Sequence, residues 1–205
     1  VDPARIDRLR KNPPDATFTG AQMLWTRFAT DPSVVRSILP SGLDPTPQPI
    51  AAAFVARYPE TNFGCVYDEG ALFLKCRRNG ETGVYCLAMP VNDDTALISG
   101  RERLGYPKKM AERISLERVD DRMVGSVTRR GTEILRIECD LSGPVTPADL
   151  DVLGPPTLDE QGATARQGVS FLYKFFPSPD NKAFDYIPRL IRQPTLLRPR
   201  ANVER

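Results

Sequence analysis

The 205 residues suit one domain, and 40% hydrophobic with 26% charged residues is the balance of a soluble globular chain. A net charge of +2 gives no electrostatic case for nucleic acid or a membrane surface, and no apolar run approaches the ~20 residues of a membrane span. There is no histidine, which removes Ser-His-Asp and Cys-His nucleophiles and most zinc sites; the four cysteines, Cys65, Cys76, Cys86 and Cys139, show no CxxC spacing. No metal site follows, and catalysis would have to run on Lys, Glu, Asp, Tyr, Arg or Cys.

The start, Val1-Asp2-Pro3-Ala4-Arg5, does not have the form of a signal peptide, so a cytoplasmic location is the default expectation. Residues 2–11 read as a short peripheral helix with Asp2 as N-cap and Pro3 in its first turn, stopped by Asn12-Pro13-Pro14. Residues 21–30 read as a strand, and Asp31-Pro32 starts a helix over 33–39. A proline-studded loop follows, then strands over 50–58 and 71–78. Asn79 to Gly83 turns the chain into a strand over 84–91, and Asn92-Asp93-Asp94 turns it into another over 95–99. Residues 110–119 alternate imperfectly. Asp120-Asp121-Arg122 leads into a strand over 123–129, and Arg130-Gly131-Thr132 into one over 133–141. Residues 144–168 read as a Pro/Gly-rich connection with a helical turn at 147–153, and 169–176 as a late apolar strand. The basic end, 189–205, reads as a peripheral surface tail. Short strands and tight turns predict a mainly β (α+β) fold, an antiparallel barrel or sandwich.

The chemistry concentrates in Ser99-Gly-Arg-Glu-Arg-Leu-Gly-Tyr-Pro-Lys-Lys-Met110. Gly105 permits unusual backbone angles, while Pro107 fixes φ and holds Tyr106 extended. If a strand follows this corner, Lys108 and Lys109 point to opposite faces, and one of them enters the interior. Desolvation and a neighbouring cation favour a neutral, nucleophilic lysine. By itself a Lys-Lys pair is far more often a solvated surface feature than an interior one.

Three segments carry a resemblance. Gly100-Arg101-Glu102 followed by Leu104-Gly105-Tyr106-Pro107-Lys108-Lys109 resembles the signature of the acetoacetate decarboxylase family. Tyr67-Asp68-Glu69-Gly70-Ala71-Leu72-Phe73 is similar to that family's pocket-lining segment, and Val35 to Leu43 to its early helix and turn. The resemblance implies a closed antiparallel β-barrel with a few short outer helices, a single domain over 1–205, and a homo-oligomer. It implies Lys108 as Schiff-base nucleophile and Glu69 orienting substrate or moving protons; Lys109 then either tunes the field or makes an outer structural contact. Arg101 would pair with Glu102 either to hold the corner or as a solvated ion pair, and Tyr106 would either pack across the pocket mouth or be a plain core tyrosine. The family's pocket arginine aligns with Ala29 and its second pocket acid with Phe54; Arg27, two residues before Ala29 on the same strand face, is the candidate substitute. The family continues through a further strand beyond the region matching Arg192, so this chain is expected to be short or truncated there.

The implied reaction is decarboxylation of a β-keto acid through an imine on Lys108, without cofactor. The substrate is acetoacetate or, given Ala29 and Phe54, a larger and more apolar analogue. The same imine would serve an aldolase-dehydratase, and a barrel that only binds a small molecule is the remaining alternative.

Overall fold

The computed structural model describes residues 15–144 and 154–198. The expected helix over 2–11 and helical turn at 147–153 lie outside these residues. Within them the fold is mainly β, as expected, but no sheet closes into a barrel, and the strands are not all antiparallel.

The main sheet is built outward from a central hairpin, β6 (Tyr67–Arg78) and β7 (Glu81–Val91). On one side β6 pairs with β4 (Ile50–Tyr58), which pairs with β2 (Gln22–Ala29); β3 (Asp44–Pro45) also joins β6. On the other side β7 takes two parallel partners, β8 (Lys108–Met110) and β13 (Thr164–Lys174). Beyond β13 lies β14 (Arg189–Leu197), and β12 (Pro156–Leu158) pairs with the start of β13. A short pair, β1 (Phe18–Thr19) with β5 (Glu60–Thr61), stands apart.

A separate three-stranded sheet, β9 (Arg113–Val119), β10 (Arg122–Arg129) and β11 (Thr132–Asp140), replaces barrel closure. Its two tight turns place Asp120 and Arg130 at positive φ, so each strand finds its partner locally rather than on the main sheet. The resulting unit has one apolar face, carrying Ile114, Leu116, Val127 and Ile137, and it buries that face on Leu24, Ala53 and Val55. A Cβ at Gly125 would lie 2.7 Å from Val55 Cβ, and one at Gly70 2.5 Å from Val127 Cγ2, so two missing side chains let the layers meet.

The opposite face of the main sheet carries a second core. Alternation along β4 sends Phe54, Ala56 and Tyr58 there, and along β6 Tyr67, Ala71 and Phe73. Trp25 packs tilted against Phe54, with centroids 4.6 Å apart, and Phe54 stacks on Phe73 at 5.7 Å.

Three further expectations change. The apolar run 95–99 is not a strand: α2 (Asp94–Ile98) forms instead, because Asp93 Oδ1 accepts the Ala96 N–H at 2.7 Å and caps a helix; α1 (Pro32–Ile38) precedes it in the chain as expected. The late strand starts at Thr164, inside the expected connection. Within the expected basic tail, β14 (Arg189–Leu197) forms, held along its length by the ladder to β13. Among the described residues no helix is long and apolar enough to cross a membrane.

Candidate active site

Lys108 reaches the second core through a backbone device. After α2 the chain winds into a π-helical turn (Ser99–Leu104), an uncommon form that recurs at functional sites. Gly105 ends it at φ +84°, its N–H donating to Arg101 O. A side chain there would also collide with the Lys174 backbone, 2.8 Å from the Cβ position. Pro107 then makes a tight bend, with Lys108 N–H donating to Tyr106 O at 2.7 Å. The three residues of β8 follow, in register with Met89 to Val91. Lys108 is 5% exposed, whereas Lys109 is exposed on the other face. Strand alternation divides the pair as expected.

Lys108 Nζ lies 2.7 Å from Glu69 Oε2, with both side chains 6% exposed. The contact is an ion pair without the directionality of a hydrogen bond. Burying such a pair is costly, and removing either partner strands a charge, so the arrangement favours retention of both groups. Tyr58 donates to Glu69 Oε1 at a long 3.5 Å, and Nζ lies 5.0 Å from the centroid of the Tyr67 ring. Burial, reinforced by the Glu69 carboxylate, holds the phenols of Tyr58 and Tyr67 well above the ordinary tyrosine range. Burial does the same to the Cys86 thiol beside them. These groups therefore remain O–H and S–H at neutral pH.

Gly100 completes the enclosure. A Cβ there would lie 2.6 Å from Lys108 Cε, 2.8 Å from Cδ and 3.3 Å from Nζ. The lysine side chain occupies the volume that any other residue at position 100 would fill.

Of the other residues named from sequence, Phe54 lies in the aromatic core, 3% exposed. Tyr106 packs against the same core, burial raising its phenol while the Ser170 hydroxyl partly offsets this. Ala29 and Arg27 are exposed toward the end of β2, and Arg27 makes no ion pair or hydrogen bond with Lys108 or Glu69 among the described residues. Arg101 is half-buried and Glu102 exposed; they do not form the expected ion pair. Tyr58, Tyr67 and Gly100 were not singled out as site residues. The signal was available for Tyr67, which lies two positions before Glu69 on a strand and so shares its face. Tyr58 comes in only through its pairing opposite Tyr67.

Two surface depressions of about 320 and 380 Å³ lie elsewhere, one on the outer face of β9 to β11 and one between the π-helical turn and β13–β14. Neither is lined by Lys108 or Glu69.

The family model for acetoacetate decarboxylase matches residues 3–199. An acetoacetate decarboxylase of Burkholderia ambifaria is 30% identical over 166 residues, 81% of this chain and 62% of that relative, so the chain spans under two thirds of the relative's length. The crystal structure of acetoacetate decarboxylase from Legionella pneumophila superposes with a TM-score of 0.73 at 19% identity, covering 96% of this chain and 82% of that one. The enduracididine biosynthesis enzyme MppR, complexed with the condensation product of pyruvate and imidazole 4-carboxaldehyde, gives 0.61 at 16% identity, over 93% and 80%. At these identities the two structural matches speak to the fold.

Proposed function

Because the chain belongs to the acetoacetate decarboxylase family, we propose that it is a carbon–carbon lyase acting on a small β-keto acid through a Schiff base on Lys108. The observation that carries this is the buried Lys108–Glu69 pair at 2.7 Å, one amine and one base in a water-poor core.

An ammonium cannot attack a carbonyl. Glu69 is within reach to take the Lys108 proton, and the freed lone pair then adds to the ketone carbon. Loss of water from the carbinolamine leaves a protonated imine. The electrons of the breaking C–C bond to carboxylate flow into that iminium and give an enamine and carbon dioxide. Protonation at carbon, then hydrolysis, returns the ketone product and the lysine. The phenols of Tyr58 and Tyr67 stay protonated, so they are donors for the carbinolamine oxygen or the returning proton. The aromatic wall of Trp25, Phe54 and Phe73 favours a keto acid with an apolar substituent over acetoacetate itself.

Condensation with an aldehyde is a second use of the same iminium, and the MppR complex is a precedent for it on a similar fold. Borohydride reduction in the presence of acetoacetate, 3-oxohexanoate and pyruvate tests the proposal. The expected outcome is a stable adduct on Lys108, found by peptide mass mapping and absent from Lys108→Met. Carbon dioxide release separates decarboxylation from condensation. A protein that acquires no adduct with any of the three carbonyl compounds would exclude imine chemistry.

A further inference from the structure

On the far side of the lysine corner, three cations converge on the 380 Å³ depression without a carboxylate among them. It is lined by Arg103, Lys174, Tyr186, Arg189 and Ile191. Lys174 and Arg189 stand directly opposite in the antiparallel β13–β14 register, and like charges in that relation repel. Arg103 adds a third positive group from the end of the π-helical turn. Some arginines are matched, Arg192 with Glu81, Arg198 with Asp159, and Arg122 and Arg136 with Glu138. Among the described residues, Arg103, Lys174 and Arg189 enter no ion pair. Lys174 Nζ does lie over the Tyr186 ring at 6.0 Å, and the Tyr186 hydroxyl is buried without a hydrogen-bond partner. Three cations with no carboxylate among the lining residues give the depression a positive potential that an oxyanion complements.

We propose that this depression binds the dianionic oxyanion group of a small organic molecule, a phosphate monoester or a dicarboxylate. A guanidinium group is a planar fork suited to paired oxygens, and Lys174 adds a point charge to the two that Arg103 and Arg189 bring. The volume falls within the ~300–1,000 Å³ of small-molecule sites, and Ile191 with the Tyr186 ring supplies an apolar wall for the ligand's body. Lys174 follows two residues after Leu172, which packs in the same core as Tyr67 and Met89, so the depression shares the sheet face of the Lys108–Glu69 pair. It does not depend on imine chemistry at Lys108.

Calorimetric titration and thermal-midpoint shifts of the full chain test this, with inorganic phosphate and succinate as separate probes and sodium chloride at matched ionic strength as reference. Saturable binding of at least one probe is expected, weakened about tenfold or more in Arg103→Gln/Arg189→Gln and several-fold in Lys174→Gln. Arg57→Gln, remote and paired with Asp68, leaves it unchanged. A response to phosphate alone assigns a phosphoryl group, and one to succinate alone a dicarboxylate. Absence of saturable binding for both probes overturns the proposal. So does undiminished affinity in Arg103→Gln/Lys174→Gln/Arg189→Gln with a native circular dichroism spectrum.

Discussion

Replacing Gly100 with alanine places a methyl carbon 2.6 Å from Lys108 Cε and 2.8 Å from Cδ, where carbon atoms prefer roughly 3.5–4.0 Å. The overlap is about 1 Å, and the atoms struck belong to a flexible side chain rather than to backbone. The lysine therefore yields first, swinging its Nζ by about 1 Å out of the 2.7 Å contact with Glu69. Overpacking of this kind costs ~1–3 kcal/mol of folding stability. A displacement near 1 Å costs a positioned nucleophile on the order of 100-fold in rate. The assay pairs urea denaturation with the rate of borohydride-trapped adduct on Lys108. Gly100→Ala should remain folded, lose the smaller amount of stability and trap ~100-fold more slowly. Trapping at the wild-type rate with unaltered stability would refute the idea that the π-helical turn shapes the space around the amine.

Three other outcomes follow from the same contacts. Lys108→Met leaves Glu69 buried without its cation and should cost ~3–5 kcal/mol, of which Lys108→Met/Glu69→Gln recovers most; equal stabilities of the single and double variants in urea would contradict the buried pair. Gly125→Ala drives a methyl group to 2.7 Å from Val55 Cβ and should lose ~1–3 kcal/mol, with Gly125→Ala/Val55→Ala less destabilised than the sum of the single changes; strict additivity would mean that the two layers do not touch there. Stability should fall on the alkaline side. Burial raises the thiols of Cys65 and Cys86 and the phenols of Tyr58, Tyr67, Tyr85 and Tyr106, and pushes Cys76 up to about 12. Unfolded thiols release protons from about pH 8.5 and phenols from about pH 10, so above those values the unfolded chain binds fewer protons and gains on the native state by ~1.4 kcal/mol per pH unit per group. Denaturant midpoints should be flat from pH 6 to about 8 and decline above that; tyrosine absorbance titrating fully near pH 10 in a chain that is still folded would contradict the burial.

Local chemistry settled much of this protein before any long-range contact formed. The hairpin partners around Asn79-Gly80, Asp120-Asp121 and Arg130-Gly131 were legible because turn residues and strand period are near-neighbour properties. So was the division of Lys108 and Lys109 between two faces, because a glycine–proline corner followed by a strand sends adjacent side chains opposite ways; that Lys108 is the inward one was implied only by the resemblance. The resemblance implied Glu69 as a pocket residue, and the register Glu69↔Val91 with Met89↔Lys108 sets it beside the Lys108 amine.

Tertiary structure decided the rest. Asp93 capped a helix where the apolar run 95–99 suited a strand equally well, since only packing distinguishes a short apolar helix from a short apolar strand. The strands from 113 to 140 held each other instead of closing a barrel, because nothing in an alternating pattern states which sheet its apolar face will cover. Residues 189–197 became a strand through the ladder to β13, which their proline and charge content did not announce. That same ladder set Arg189 opposite Lys174, an adjacency between positions fifteen residues apart that exists only once the two strands pair.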